Sequence, residues 1–129
     1  MGAAFEFGHV VIADIPDPEG KPCDHEHTAM VLRPPDEKGN LYLLAISSKF
    51  ARPIGRLMIE VPWATGGHPV TGLSRPSVLK CGWVVPFHVD KIECRKGNIP
   101  SQYADLAVEY AITAIEEKRA QNANQTSAK

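Results

Sequence analysis

The sequence predicts a mainly β domain, a small and strongly bent antiparallel barrel closed by one C-terminal helix. Three observations carry that expectation. Short β-branched apolar runs recur along the first three quarters of the chain, each bounded by turn-forming residues. Pro (11) and Gly (10) are abundant beside four Phe, three Tyr and two Trp, a mix that favours many short elements over a helical bundle. After Pro100 the texture changes once, to apolar residues at three- and four-residue steps.

Residues 9–15 (HVVIADI) read as the first strand, and Pro16, Asp17, Pro18 and Gly20 punctuate it. Residues 28–32 (TAMVL) are a second strand, stopped by Pro34 and Pro35. A turn-like DEKGN follows at 36–40, then LYLLAI at 41–46, so the pair reads as an antiparallel hairpin. Residues 56–61 (RLMIEV) are a strand closed by Pro62, and 64–75 read as a long, flexible loop. VLKCGWVV at 78–85 is a strand with Gly82 marking a bulge or close backbone approach. Residues 87–94 (FHVDKIEC) alternate as a further strand, and Arg95, Lys96, Gly97 and Asn98 read as a turn. Tyr103, Leu106, Ala107, Tyr110, Ala111, Ala114 and Ile115 give the helix one apolar stripe, with Ser101 as N-cap candidate. Residues 1–119 are therefore expected to be one domain and 120–129 a disordered tail.

The chain has 129 residues, enough for one core and not two. No run approaches the 18 apolar residues of a membrane span. The N-terminus lacks the basic and apolar regions of a signal peptide. Cys23, Cys81 and Cys94 are an odd number at wide spacing, which is not a disulfide framework. The default expectation is a cytoplasmic protein with no membrane partner. The net charge of -1 excludes a uniformly basic nucleic-acid binder. It hides an asymmetry: residues 1–44 hold three bases and eight acids, whereas 45–100 hold eight bases and three acids. A basic middle can hold a polyanion, because phosphate contacts supply most nucleic-acid affinity. Equally, the two segments can pair in the fold and cancel.

Several residues carry possible chemistry. Cys23, His25 and His27 would project to one side of an extended segment and suit zinc, with His68 or His88 as distant partners. The alternative is a solvated loop, and no C-x-x-C supports a metal site, so no metal or cofactor is expected. Ser47, Ser48 and Lys49 follow a strand directly, where hydroxyls beside a cation can hold phosphate or a ribose hydroxyl. His68 and Arg75 sit in the Gly-rich loop as a possible acid/base group and a phosphate-binding cation. Lys80 lies within a strand and faces solvent or a groove. Trp63 and Trp83 can stack on bases, although core packing is the commoner role.

Taken in order, several segments resemble the PemK/MazF-like toxin family of bacterial toxin–antitoxin systems. They are GHVVIADIPDPEG (8–20), HTAMVL (27–32), AISSK (45–49), TGLSRPSVLKCGW (71–83) and GNIP (97–100) before a helix. The resemblance spans roughly residues 8–118. It implies an SH3-like barrel, a homodimer, cleavage of single-stranded RNA through the ribose 2′-hydroxyl without metal, and a neutralising antitoxin. It also implies catalytic roles for His27, at the family's strand-two Arg, and for Lys80, at the Arg of its R-C-D signature. Ser47, Ser48, Lys49, His68 and Arg75 would bind RNA. Gly82 falls where that signature has Asp, and a glycine supplies no acid or base. The competing expectations are a nuclease-weakened or inactive barrel that binds nucleic acid or protein, and a zinc hydrolase built on Cys23, His25 and His27.

Overall fold

The computed structural model describes residues 5–22 and 27–127. Six strands form one antiparallel sheet: β1 (His9–Ala13), β2 (His27–Val31), β3 (Asn40–Ser47), β4 (Met58–Val61), β5 (Ser77–His88) and β6 (Ile92–Asn98). Helix α1 (Ser101–Ser127) follows. The strand order is β4-β5-β3-β2-β1-β6. The expected hairpin is present, with Thr28 opposite Ile46 and Val31 opposite Leu43.

Both faces of the sheet are buried, which explains why HVVIADI does not alternate. Val10, Met30, Leu44 and Ile46 join one core with Leu79 and the helix residues Ala104, Ala107 and Ala111. Their neighbours Val11, Val31, Leu43 and Ala45 belong to a second core with Ile15, Leu41 and Val85. Strand period two sends consecutive residues to opposite faces, so two cores require apolar residues at successive positions. Three alanines at α1's contact face let the helix approach β5 closely. Ile112 and Ile115 lie on its exposed side, 52% and 47% accessible, so Ile115 is outside the buried stripe.

The structure corrects four expectations. The sheet is open, because β4 and β6 are its two edges and do not pair with each other. The segment between β4 and β5 bridges that gap instead, with the Asn98 amide donating to the Val70 carbonyl at 2.8 Å. Secondly, residues 95–98 are strand rather than turn. The alternation at 87–94 runs across the end of β5, a 3-10 turn at Val89–Lys91 and the start of β6. Thirdly, Pro100 rather than Ser101 supplies the first helical carbonyl, accepting from the Tyr103 and Ala104 amides. Fourthly, the helix continues past Arg119 to Ser127; Ala and Gln propagate a helix well, and no Gly or Pro interrupts them.

β5 bends in mid-course. Leu79 pairs with Ile46 and Val84 with Leu44, so one β3 residue, Ala45, spans four on β5. Residues 80–83 therefore bulge away from β3, and the Cys81 amide bonds the Leu57 carbonyl at 3.2 Å. Trp83 is anchored there by its indole N–H, which donates to the Pro16 carbonyl at 2.9 Å.

His9 gives the fold a pH response. It is buried, and its Nδ1 accepts from the Glu6 amide at 3.1 Å. Burial, helped by Arg95 and opposed by Glu6, lowers its pKa from 6.5. The folded state thus disfavours the imidazolium, and this contribution is lost as pH falls below 6.5 through the folded value. Thermal unfolding at pH 7 and 5 should show a larger drop for wild type than for His9→Gln.

Candidate nucleic-acid interface

Antiparallel pairing brings the start of β2, the end of β3 and the start of β5 to one end of the sheet. Ser47 stands opposite Val78 and Thr28 opposite Ile46. Each strand delivers a polar group there. His27 opens β2. The Ser47 hydroxyl accepts from the Lys49 amide at 3.0 Å and donates to the Lys49 carbonyl at 3.2 Å, closing a turn that carries Ser48 and Lys49. The Ser77 hydroxyl donates to the Arg75 carbonyl at 2.9 Å, fixing the approach to β5.

The long segment after β4 is pinned rather than flexible. Ala64 and His68 amides both donate to the Leu73 carbonyl at 3.0 Å. The buried Thr71 hydroxyl donates to the Pro62 carbonyl at 2.9 Å and accepts from the Leu73 amide at 3.1 Å. Its contact with β6 is backbone on backbone, at Gly97 against Val70 and Thr71 and at Gly72 against Lys96. Docked this way, the segment sets Leu73, Ser74 and Arg75 beside Lys96 of β6.

The result is a cleft of about 420 Å³ lined by His27, Thr28, Ile46, Ser47, Ser48, Lys49, Leu73, Ser74, Arg75, Ser77 and Lys96. Five hydroxyls, three permanent cations and one imidazole line it, with no carboxylate among the described residues. Lys49, Arg75 and Lys96 make no ion pair among the described residues, whereas Arg52 is held by Glu60 and Arg56 by Glu117. No ion pair among them joins an acid of residues 1–44 to a Lys or Arg of the basic middle. Among the described residues, then, the two segments do not cancel by ion pairing. Donor-only cations beside hydroxyls are the chemistry that holds a phosphate.

Five of the seven residues that the resemblance makes catalytic or RNA-binding thus meet: His27, Ser47, Ser48, Lys49 and Arg75. His68 does not join them. Its Nδ1 accepts from the Val70 and Thr71 amides at 3.1 and 3.3 Å, so the ring shapes the loop. Lys80 is carried by the β5 bulge into a second cavity of about 490 Å³ with Met58, Cys81 and Trp83. The two cavities approach each other at one point, where the His27 ring meets Trp83 edge-on with centroids 5.1 Å apart. Lys96 and Ser74 join the cleft without a sequence signal of their own. Lys96 sat in a segment that resembled a turn, and no spacing marks it. The zinc reading of Cys23 and His25 lies outside the described residues.

Cys81 lines the second cavity but is 1% exposed, and burial pushes its thiol pKa up to about 12. It stays protonated and shielded near neutral pH. Peptide mapping after iodoacetamide treatment of the folded protein should find Cys94, which is exposed, alkylated and Cys81 unmodified.

The open, bent antiparallel sheet backed by a C-terminal helix is a fold with a solved counterpart. The chain matches a solved structure titled an endoribonuclease in complex with its cognate antitoxin from a mycobacterial species. The TM-score is 0.63 at 10% sequence identity, over 88% of this chain and 96% of that one. At that identity the likeness is one of fold. No family model matches the chain, and no curated protein matches it. Among the described residues, no helix is long and apolar enough to cross a membrane.

Proposed function

We propose that the chain is a PemK/MazF-like toxin, an endoribonuclease that cuts single-stranded RNA and is restrained by an antitoxin. The observation that carries this is the cleft that gathers His27, Lys49, Arg75 and Lys96 with five hydroxyls and no carboxylate among the described residues. The solved neighbour's antitoxin complex supports an antitoxin partner, and the family resemblance supports a homodimer.

In this mechanism an RNA phosphate sits among Lys49, Arg75 and Lys96. Ser48 and Ser74 donate to its oxygens. His27 takes the proton of the adjacent 2′-hydroxyl, and the 2′-oxygen attacks phosphorus. The bond to the 5′-oxygen breaks, that oxygen takes a proton from water, and a 2′,3′-cyclic phosphate remains. The nucleophile belongs to the substrate, so the step requires no metal-bound water. The three cations stabilise the charge that builds on the phosphorane. Lys80 stands outside this set, in the neighbouring cavity.

A second reading has its own observation. His27 is the one imidazole in the cleft, no carboxylate accompanies it among the described residues, and Gly82 offers no side chain. The same surface would then bind RNA without cutting it. Incubating purified protein with a long single-stranded RNA in EDTA separates the two. Cleavage supports the toxin; salt-dependent binding without cleavage, and expression that leaves growth unaffected, support the binding module.

A further inference from the structure

The second cavity is unused by the mechanism above, yet one of its walls, Trp83, touches His27 of the cleft. Leu57, Met58 and Trp83 line it and are all half-buried, leaving apolar surface open at one place. Trp83 cannot swing freely, because its indole N–H is fixed on the Pro16 carbonyl at 2.9 Å. Its other neighbour is the His27 ring at 5.1 Å, so the cleft and the cavity meet across these two rings. A chain whose phosphate lies in the cleft therefore has an adjoining apolar seat for its base. Fixed aromatic faces and a polarisable thioether suit the flat face of a nucleobase.

The polar groups of the seat select among bases. Arg56 is engaged by Glu117 in a two-pronged ion pair at 2.7 and 2.8 Å. The Cys81 thiol points to the Leu79 carbonyl. Lys80 has no ion pair among the described residues, and its ammonium only donates. A donor-only group favours a base edge bearing a carbonyl oxygen. Uracil offers O2 and O4 and guanine O6 beside N7, whereas adenine's N1 and N7 each stand beside the N6 amino donor, which a cation does not pair with. Gly82 leaves the entrance clear, since a Cβ built there meets nothing within 4 Å.

We propose that this cavity is a base-selecting subsite. It seats a carbonyl-bearing base, uracil or guanine over adenine, of the nucleotide beside the phosphate in the cleft, with Lys80 as its specificity-determining residue. The proposal rests on the RNA reading of the cleft. Its test uses the full chain carrying Trp63→Phe, which leaves Trp83 as the one tryptophan. Trp63 is 43% exposed, so the exchange is mild. Oligouridylate should quench Trp83 emission, and inorganic phosphate should not. Lys80→Met should cut the preference for oligouridylate over oligoadenylate about tenfold, the worth of one charged hydrogen bond. Gly82→Leu, which fills the entrance, should abolish the quenching. If oligonucleotides bind in a salt-dependent way while Trp83 emission and the uridine preference are the same in all these proteins, the subsite is wrong and the cleft reading stands. If no oligonucleotide binds in a salt-dependent way, the cleft reading fails and the subsite falls with it.

Discussion

Gly97→Ala should destabilise the protein by about 3 kcal/mol or more, among the largest effects of any single methyl addition in the chain. The added Cβ would lie 2.5 Å from the Thr71 carbonyl carbon and oxygen and would also strike the Val70 carbonyl. These are backbone atoms and have no alternative rotamer. Either the segment lifts from β6 or β6 leaves β1, whose residue Val10 is Gly97's partner. Gly72 is the reciprocal contact: its φ is +74° and its Cβ would strike the Lys96 carbonyl. Gly82→Ala is the matched control, because nothing lies within 4 Å of its Cβ. It should change stability by no more than about 0.5 kcal/mol. Urea unfolding of the three proteins measures both effects. Because the same contact places Arg75 beside Lys96, Gly97→Ala should also weaken RNA binding at temperatures where the fold survives.

His27→Ala should lower the rate of RNA cleavage by about 10²–10⁴-fold, the usual contribution of a positioned acid/base group. Binding should change far less, since the proposed phosphate contacts belong to other residues. Arg75→Gln and Lys96→Gln should do the reverse. Each removed phosphate contact lowers the slope of log affinity against log salt by about 0.7 for a single strand. Cleavage rates and salt titrations on the same RNA distinguish the catalytic change from the binding changes.

Much of this site could be read from the chain because its residues sit at strand ends. Ser47, Ser48 and Lys49 end a run of apolar residues, and His27 begins one, so their meeting follows from hairpin pairing alone. Lys96 and Gly97 could not be read in the same way. KGN looks like a turn by composition, yet here the glycine lies in a strand because another segment's backbone packs on it. The pinned loop was hidden for the same reason: its order comes from Thr71, His68 and the distant β6, not from its own propensities. Lys80 shows a third kind of failure. Strand period two placed it on a face, but the bulge at residues 80–83 moves that face to a different cavity. A bulge depends on the partner strand and leaves little trace in local spacing.

The most direct test of the central claim uses one RNA in two forms, incubated with purified protein in EDTA. One form is unmodified and the other carries a 2′-deoxyribose at the cleaved position. The expected result is cleavage of the unmodified strand to a 2′,3′-cyclic phosphate end, no cleavage at the deoxy position, and loss of cleavage in His27→Ala. Undiminished cutting by His27→Ala, or an intact wild-type reaction at the deoxy position, would contradict it.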